Sequence, residues 1–293
     1  MKKLLLIVNP IAGVKKAMRH LSQIQDIFSS AGYDVITHLT RQRGDACDAV
    51  KEYGSQVELV VCCGGDGTLN ETVAGIVNAG LDLPVGYIPA GSTNDFANSL
   101  HLPHDILDAA RNITKGAAHG YDLGLFGNRF FNYIASFGAF TGASYGCSQT
   151  AKNVLGHFAY ILKAFQELPK IHKEHVRLEI DGQIVEGDYI FGAICNSTSV
   201  AGVVSLDPSL VDMQDGKFEV MLVRPPKNPM ELCKCINSLL HQSVDSPMIT
   251  FLSGTRVKVT ANPKMVWSLD GERAEGRRTI CIQNLHQRLK LVH

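Results

Sequence analysis

Apolar and polar positions in the first part of the chain follow two alternating patterns. Four short segments, Lys3 to Val8, Val35 to Leu39, Leu59 to Cys63 and Val85 to Ile88, read as strands, and the five-residue apolar run Leu59 to Cys63 as one buried on both faces. Between them, apolar residues recur at helical spacing: Met18, Leu21, Ile24, Ile27 and Phe28, then Leu69, Val73, Ile76 and Val77. Residues from Gly44 to Tyr53 suit another helix, and Pro103 opens one that runs to about Lys115. Strand followed by helix, repeated, predicts a parallel sheet covered by helices. Beyond Gly120 the pattern changes. Segments 129–137, 174–181, 184–195 and 217–223 are rich in aromatic and β-branched residues, separated by turns such as Asp181-Gly182 and Asp215-Gly216. This predicts antiparallel sheet, interrupted by helices near 152–168 and 229–242. The expected organisation is an α/β domain over 1–125, a β-rich domain over 126–287, and a last segment, 288–293, able to return to the first domain.

Each strand of the first domain runs into a turn with its own chemistry. Leu59–Cys63 ends at Gly64-Gly65-Asp66-Gly67, after which Thr68 is placed to cap the helix that starts near Leu69. The first strand ends in Asn9-Pro10-Ile11-Ala12-Gly13, and the fourth in Pro89-Ala90-Gly91-Ser92-Thr93-Asn94-Asp95. In a doubly wound sheet the loops at the carboxyl ends of the strands line one crevice, so these three should converge. Backbone N–H groups gathered there suit a phosphate. A carboxylate at Asp66 would repel a bare phosphate, and makes sense beside a cation, a proton to be moved or an N–H donor. The patterns G-x-x-x-x-G-K-[ST] and G-x-G-x-x-G are both missing, as is a pairing of H-R-D with D-F-G. P-loop, dinucleotide-binding Rossmann and protein-kinase sites are therefore unsupported.

Composition narrows the classes further. A chain of 293 residues, 45% hydrophobic, can bury a large core and suits two domains better than one. Its 28 basic and 28 acidic residues balance, so no global basic field draws nucleic acid. No apolar run approaches the roughly 18 residues of a membrane span. Met1-Lys2-Lys3 followed by Leu4–Val8 imitates a signal peptide, but Asn9-Pro10 cuts the apolar part short, and it reads as a first strand. Eight cysteines without a C-x-x-C pair read as free thiols in a reducing cytoplasm.

Gly64-Gly-Asp-Gly-Thr-Leu-Asn-Glu71, together with Asn9-Pro-x-x-Gly13, Gly91-Ser-Thr-Asn-Asp95 and Asp270-Gly-Glu272, resembles the diacylglycerol kinase catalytic-domain family, in particular its soluble bacterial lipid kinases. The motifs come in family order across nearly the whole chain, although the G-G-D-G-T core is shared with NAD kinases and 6-phosphofructokinases. The resemblance implies ATP-dependent phosphorylation of a lipid hydroxyl, with diacylglycerol as the default acceptor. It also implies an α/β nucleotide domain and a C-terminal β-rich sandwich that forms the lipid cleft. Carried across, Asn9, Pro10, Ile11, Ala12, Gly13, Thr40, Gly64, Gly65, Asp66, Gly67, Thr68, Leu69, Asn70, Glu71, Gly91, Ser92, Thr93 and Asp95 match nucleotide-contacting positions. Glu272 matches the general base, with Asp66 the other catalytic carboxylate and Asp66 and Asp95 suited to Mg²⁺ or to ordering phosphates. The base assignment between Asp66 and Glu272 stays open here, and as a bare motif Asp270-Gly-Glu272 is equally an ordinary hairpin turn.

The resemblance further implies a structural Mg²⁺ held by Asp212, Asp215 and the backbone carbonyl of Lys217, where the alternative is a capped Asp-Gly turn. Two positions depart from the family pattern. Ala12 stands where many relatives carry Ser, and Phe137 to Tyr145 lacks G-[FI]-D-A, which leaves the lipid's identity open. Without a membrane span, a lipid kinase meets its substrate at the bilayer surface, so the expectation is a cytoplasmic, peripherally associated protein. The apolar face of 152–168, flanked by Lys152, Lys163 and Lys170, offers either a docking element or a core-facing helix. Rival readings are an NAD kinase and a non-catalytic nucleotide- or lipid-binding regulator; a homodimer is one assembly left open.

Overall fold

The structure, a computed structural model, describes residues 2–13, 16–138, 172–200 and 204–293. The chain divides into two compact units, one made of Met1–Leu123 with Leu285–His293 and the other of Gly124–Asn284.

In the first unit the elements alternate: β1 (Lys2–Val8), α1 (Lys16–Arg19), α2 (Leu21–Ser30), β2 (Tyr33–Leu39), α3 (Asp45–Tyr53), β3 (Leu59–Gly64), α4 (Asp66–Asn78), β4 (Val85–Pro89), α5 (Asp95–Ser99) and α6 (Ile106–Lys115). β1 lies between β2 and β3, β4 pairs with β3, and every one of these pairings is parallel. Alternate residues of β1 serve opposite faces. Leu4, Leu6 and Val8 join Ile24 and Phe28 of α2 and Ile106, Ala109, Ala110 and Ile113 of α6 in one buried cluster. Burying each large aliphatic or aromatic side chain there contributes about 1.5–3 kcal/mol. Leu5 and Ile7, equally buried, point to the other side of the sheet.

Two helix starts differ from expectation. α4 begins at Asp66 rather than after a Thr68 cap: Gly65 stays extended (φ −93°) and Asp66 places its negative charge in the first turn, where the helix dipole favours it. α6 begins at Ile106 rather than Pro103, because Asp105 caps it by accepting the N–H groups of Leu107 and Asp108.

β5 (Ala118–Phe126) carries the chain into the second unit. There follow β6 (Arg129–Phe131), β7 (Ile134–Gly138), β8 (Glu174–Ile180), β9 (Gln183–Tyr189), β10 (Phe191–Cys195), β11 (Ser199–Val200), β12 (Val204–Ser205), β13 (Phe218–Val223), α7 (Pro229–Leu240), β14 (Ile249–Gly254), β15 (Arg256–Ala261), β16 (Trp267–Leu269), β17 (Glu272–Ala274) and β18 (Thr279–Val292). One antiparallel sheet runs β14-β13-β10-β7-β16-β17. Facing it, the first part of β18, β15, β8 and β9 form a second. A shared core of Phe131, Phe137, Leu178, Phe218, Val257 and Trp267 lies between them, which makes the unit a β-sandwich. The end of β18 belongs to the first unit, where Leu291 pairs in parallel with Val85 of β4.

Two stretches expected as single strands are each two. Segment 184–195 breaks at Ile190, since Tyr189 pairs with Glu174 in one sheet and Phe191 with Val223 in the other. Segment 129–137 breaks at Asn132-Tyr133, where the chain leaves β5 as partner and takes up β10 and β16. The pattern hides these corners because the chain stays apolar while it changes sheets. The expected helix over 152–168 and most of the Phe137–Tyr145 segment lie outside the described residues.

Candidate active site

In the first unit the three turns converge. β1, β3 and β4 end level, and the chain beyond them keeps pairing: Asn9 N–H donates to the Cys63 carbonyl (2.9 Å), Ala90 N–H to Gly64 (2.8 Å) and Thr40 N–H to Val8 (2.9 Å). The contacts are backbone against backbone. Gly13 has φ +52°, and a Cβ on it would collide with the carbonyl of Ala90; one on Gly91 would lie 2.7 Å from the Cα of Gly65. Glycine is needed at both positions for the loops to close on each other. Asn9 ties two of them together, its Nδ2 donating to Thr68 Oγ1 (3.2 Å) while its Oδ1 accepts the Ile11 N–H (3.2 Å).

The loop after β4 is shaped by Asn94, a left-handed residue (φ 53°) whose amide accepts from Gly91 N–H (2.9 Å) and donates to the Gly91 carbonyl (3.0 Å). This turn delivers the N–H groups of Asp95 and Phe96 to the Asp66 carboxylate, at 3.1 and 3.4 Å. Asp66 and Asp95 are thereby side by side. Burial first, and the neighbouring Asp95 charge second, push Asp66 up to about 6, against the pull of those two N–H donors. The Tyr87 hydroxyl, donating to Asn94 Oδ1 at 3.4 Å, is raised by the same burial and by Asp66. An N–H donor beside Asp66 was one of the three explanations the sequence left open, and the α5 N-terminus supplies it.

Not every matched position faces this cradle. Glu71 turns away from it to accept the Gly44 N–H (2.9 Å) at the start of α3. Ser92 and Thr93 are exposed, and Ile11 is 76% exposed at the tip of its loop. Leu69 is fully buried in the core beneath.

In the second unit, Asp270-Gly271 is a two-residue turn joining β16 to β17, with both residues at positive φ (49° and 83°) and Leu269 paired with Glu272. The Asp270 carboxylate is buried and accepts three successive backbone N–H groups, from Asn132 (2.6 Å), Tyr133 and Ile134 (3.1 Å each). Glu272, two residues on, is partly exposed and takes Nη2 of Arg129 on Oε2 (3.4 Å). Also in this unit, Asp212 and Asp215 are exposed, and each accepts the N–H two residues on. The Lys217 carbonyl accepts Asn284 Nδ2 (3.0 Å). That is the capped Asp-Gly turn.

The chain has known relatives. Residues 3–126 match the family model "diacylglycerol kinase catalytic domain", and residues 140–292 match "YegS C-terminal NAD kinase beta sandwich-like domain". A curated diacylglycerol kinase of Bacillus subtilis (strain 168) is 34% identical over 274 residues, 93% of this chain and 90% of that protein. The chain belongs to the diacylglycerol kinase family. A diacylglycerol kinase of Staphylococcus carnosus (strain TM300) is 31% identical over 92% of this chain and 89% of its own. The crystal structure of a diacylglycerol kinase from Bacillus anthracis str. Sterne has the same fold, with a TM-score of 0.81 at 24% identity over all of this chain and 97% of that one.

Within this family member, sequence reasoning missed three site residues. Asn94 lies inside the Gly91–Asp95 motif but not among its matched nucleotide-contacting positions, although Asn tolerates the left-handed conformation it holds. Tyr87 sits inside an apolar strand, and only its hydroxyl marks it. Arg129 carries no local signal, because its contact with Glu272 spans 143 positions.

Proposed function

We propose that the chain is a lipid kinase that transfers the γ-phosphate of ATP to a lipid hydroxyl, with diacylglycerol as acceptor and phosphatidic acid as product. One observation carries the reading: three glycine-bearing turns meet around the paired carboxylates Asp66 and Asp95, in a chain whose curated relatives are named diacylglycerol kinase. Backbone N–H groups of Gly13 and of the Gly65–Gly67 turn bind and orient the phosphates, and glycine at these positions and at Gly91 lets the backbone approach. Thr68 is held by Asn9 at the rim of the same cradle.

Asp66 and Asp95 are the residues that would hold Mg²⁺. Two adjacent buried carboxylates repel, and a bound cation offsets that repulsion. Among the described residues no group of three or more His, Cys, Asp or Glu side chains could hold a metal ion. Waters and phosphate oxygens would complete the shell, as is usual for Mg²⁺. When bound, the ion supplies charge neutralisation between the phosphates. Asp66 holds the α5 turn in place through Asp95 and Phe96. Glu272 accepts the proton of the lipid hydroxyl, which is a weak nucleophile until its proton has an acceptor.

A second cation, structural rather than catalytic, belongs at Asp212, Asp215 and the Lys217 carbonyl. Diacylglycerol resides in the bilayer, and among the described residues no helix is long and apolar enough to cross a membrane. Peripheral association with the cytoplasmic membrane surface follows from the substrate.

The test is transfer of labelled γ-phosphate from MgATP into an organic-extractable product in mixed diacylglycerol micelles, beside a parallel reaction with NAD. Label in the lipid is expected, with turnover abolished in Asp66→Asn and Glu272→Gln while their circular dichroism stays native. Label only in NADP would replace the proposal with the soluble-nucleotide reading. Wild-type turnover in either variant would remove that residue's role.

A further inference from the structure

Arg129 touches β17 in two places. Its Nη1 donates to the main-chain carbonyl of Arg273 (3.1 Å), and its Nη2 to Oε2 of Glu272 (3.4 Å). The backbone beneath both residues is held on each side. Phe126 pairs with Arg129 across the β5–β6 turn, whose Gly127 N–H donates to the Cys281 carbonyl (3.0 Å). Opposite, Leu269 pairs with Glu272, and Asp270 clamps that turn to the N–H groups of residues 132–134, where β6 passes into β7. Two turns distant in sequence are thus locked to the same short stretch of chain, and they leave Arg129 facing Glu272.

Stability does not explain this pair. The side chains of Arg129 and Glu272 are 38% and 37% exposed, and ion pairs so open to solvent add little to the folded state. Orientation explains it better. A glutamate has three side-chain torsions, and a base that works on a weak nucleophile needs its carboxylate aimed before the substrate arrives. A planar guanidinium with one prong anchored on a main-chain carbonyl offers its other prong in a set direction, which a lysine ammonium cannot do.

We infer that Arg129 is a positioning residue: anchored on the Arg273 carbonyl, it holds the Glu272 carboxylate in the orientation that accepts the proton of the lipid hydroxyl. The inference rests on the reading of Glu272 as the general base. It assigns Arg129 no contact with substrate.

The experiment compares the full-length wild type with Arg129→Ala, Arg129→Lys and Glu272→Gln in the micelle assay, with thermal unfolding of each. Arg129→Ala should lose on the order of 10²-fold in kcat. Its KM values for ATP and diacylglycerol and its Tm should stay at wild-type levels, and added guanidinium ion at millimolar concentration should restore part of kcat. Arg129→Lys should resemble Arg129→Ala, since it keeps the charge but loses the fork. A merely structural role would give no rescue and a lowered Tm. The inference is overturned by wild-type kcat in Arg129→Ala, by a loss confined to KM, or by a loss that follows Tm and ignores guanidinium. Activity in Glu272→Gln would overturn the base reading itself, whereas an inactive Glu272→Gln beside a fully active Arg129→Ala would overturn only the role of Arg129.

Discussion

Asp66→Asn should alter the pH dependence of stability in a direction opposite to the loss of an ordinary surface carboxylate. In the fold, burial and the Asp95 charge push Asp66 from 3.8 up to about 6. The difference of roughly 2 pKa units is worth about 3 kcal/mol. The sign follows from proton counting. Between those two values the native state holds a proton that the unfolded chain has released, so rising pH removes stability; the penalty is absent below the unfolded value and complete above the folded one. Roughly 2 kcal/mol of it should fall between about pH 4.5 and pH 8. Asparagine carries no such penalty. It has one acceptor oxygen where the carboxylate has two, so one of the N–H groups of Asp95 and Phe96 loses its bond, for about 1 kcal/mol. Measured against the protonated acid, whose hydroxyl oxygen is likewise a poor acceptor, the asparagine's own hydrogen-bond loss does not change with pH, so it cancels when two pH values are compared. The variant's stability relative to wild type should therefore rise by about 2 kcal/mol from pH 4.5 to pH 8. Urea unfolding followed by far-UV circular dichroism measures this on the helices of the first unit. Tryptophan fluorescence would not, because the single tryptophan, Trp267, lies in the second unit. A gap between variant and wild type that stays constant across the pH range would refute the argument, and with it the claim that Asp66 is held beside Asp95 under strain.

Gly13→Ala places a Cβ against the Ala90 carbonyl at a residue with φ +52°, so it should destabilise the first unit by about 1–3 kcal/mol and raise KM for ATP. An unchanged KM would mean that the close approach of the first and third turns is not part of the nucleotide cradle. Chelation of divalent ions should lower the wild-type Tm by a few degrees, while Asp212→Asn/Asp215→Asn should start lower and not respond. A wild-type Tm indifferent to chelator would dismiss the structural cation.

Much of the first unit was legible because its signals are local. Each strand is an apolar run, each helix has its own repeat, and the glycine turns fall at the strand ends, so sequence order alone implies that Asn9–Gly13, Gly64–Gly67 and Gly91–Asp95 meet. Where the reading slipped, a local preference was outvoted by another. Thr68 is a good cap, but Asp66 gains more from the helix dipole two residues earlier, and Thr68 is taken up by Asn9 instead. Glu71 looks like part of the motif because it is contiguous with it, yet the helix carries it round to Gly44. Strands β14, β15 and the first part of β18 escaped because a register between distant segments leaves no mark in either segment alone, whereas the return of 288–293 and a hairpin at Asp270-Gly271 were both open readings.

The turn at Asp270-Gly271 shows why a bare motif can support two readings at once. Taken structurally it is an ordinary two-residue hairpin turn, with the positive φ values that Asp and Gly tolerate. Taken functionally it is what presents Glu272. The two readings compete only while the turn is considered by itself. The Asp270 carboxylate accepts three N–H groups of the chain around Asn132, where one sheet hands over to the other, so the hairpin is fixed to the corner of the sandwich. A turn fixed in that way gives Glu272 a steady backbone, and Arg129, two residues before Phe131, reaches it from the same corner. The feature that makes the motif look merely structural is therefore the one that makes it usable as a base.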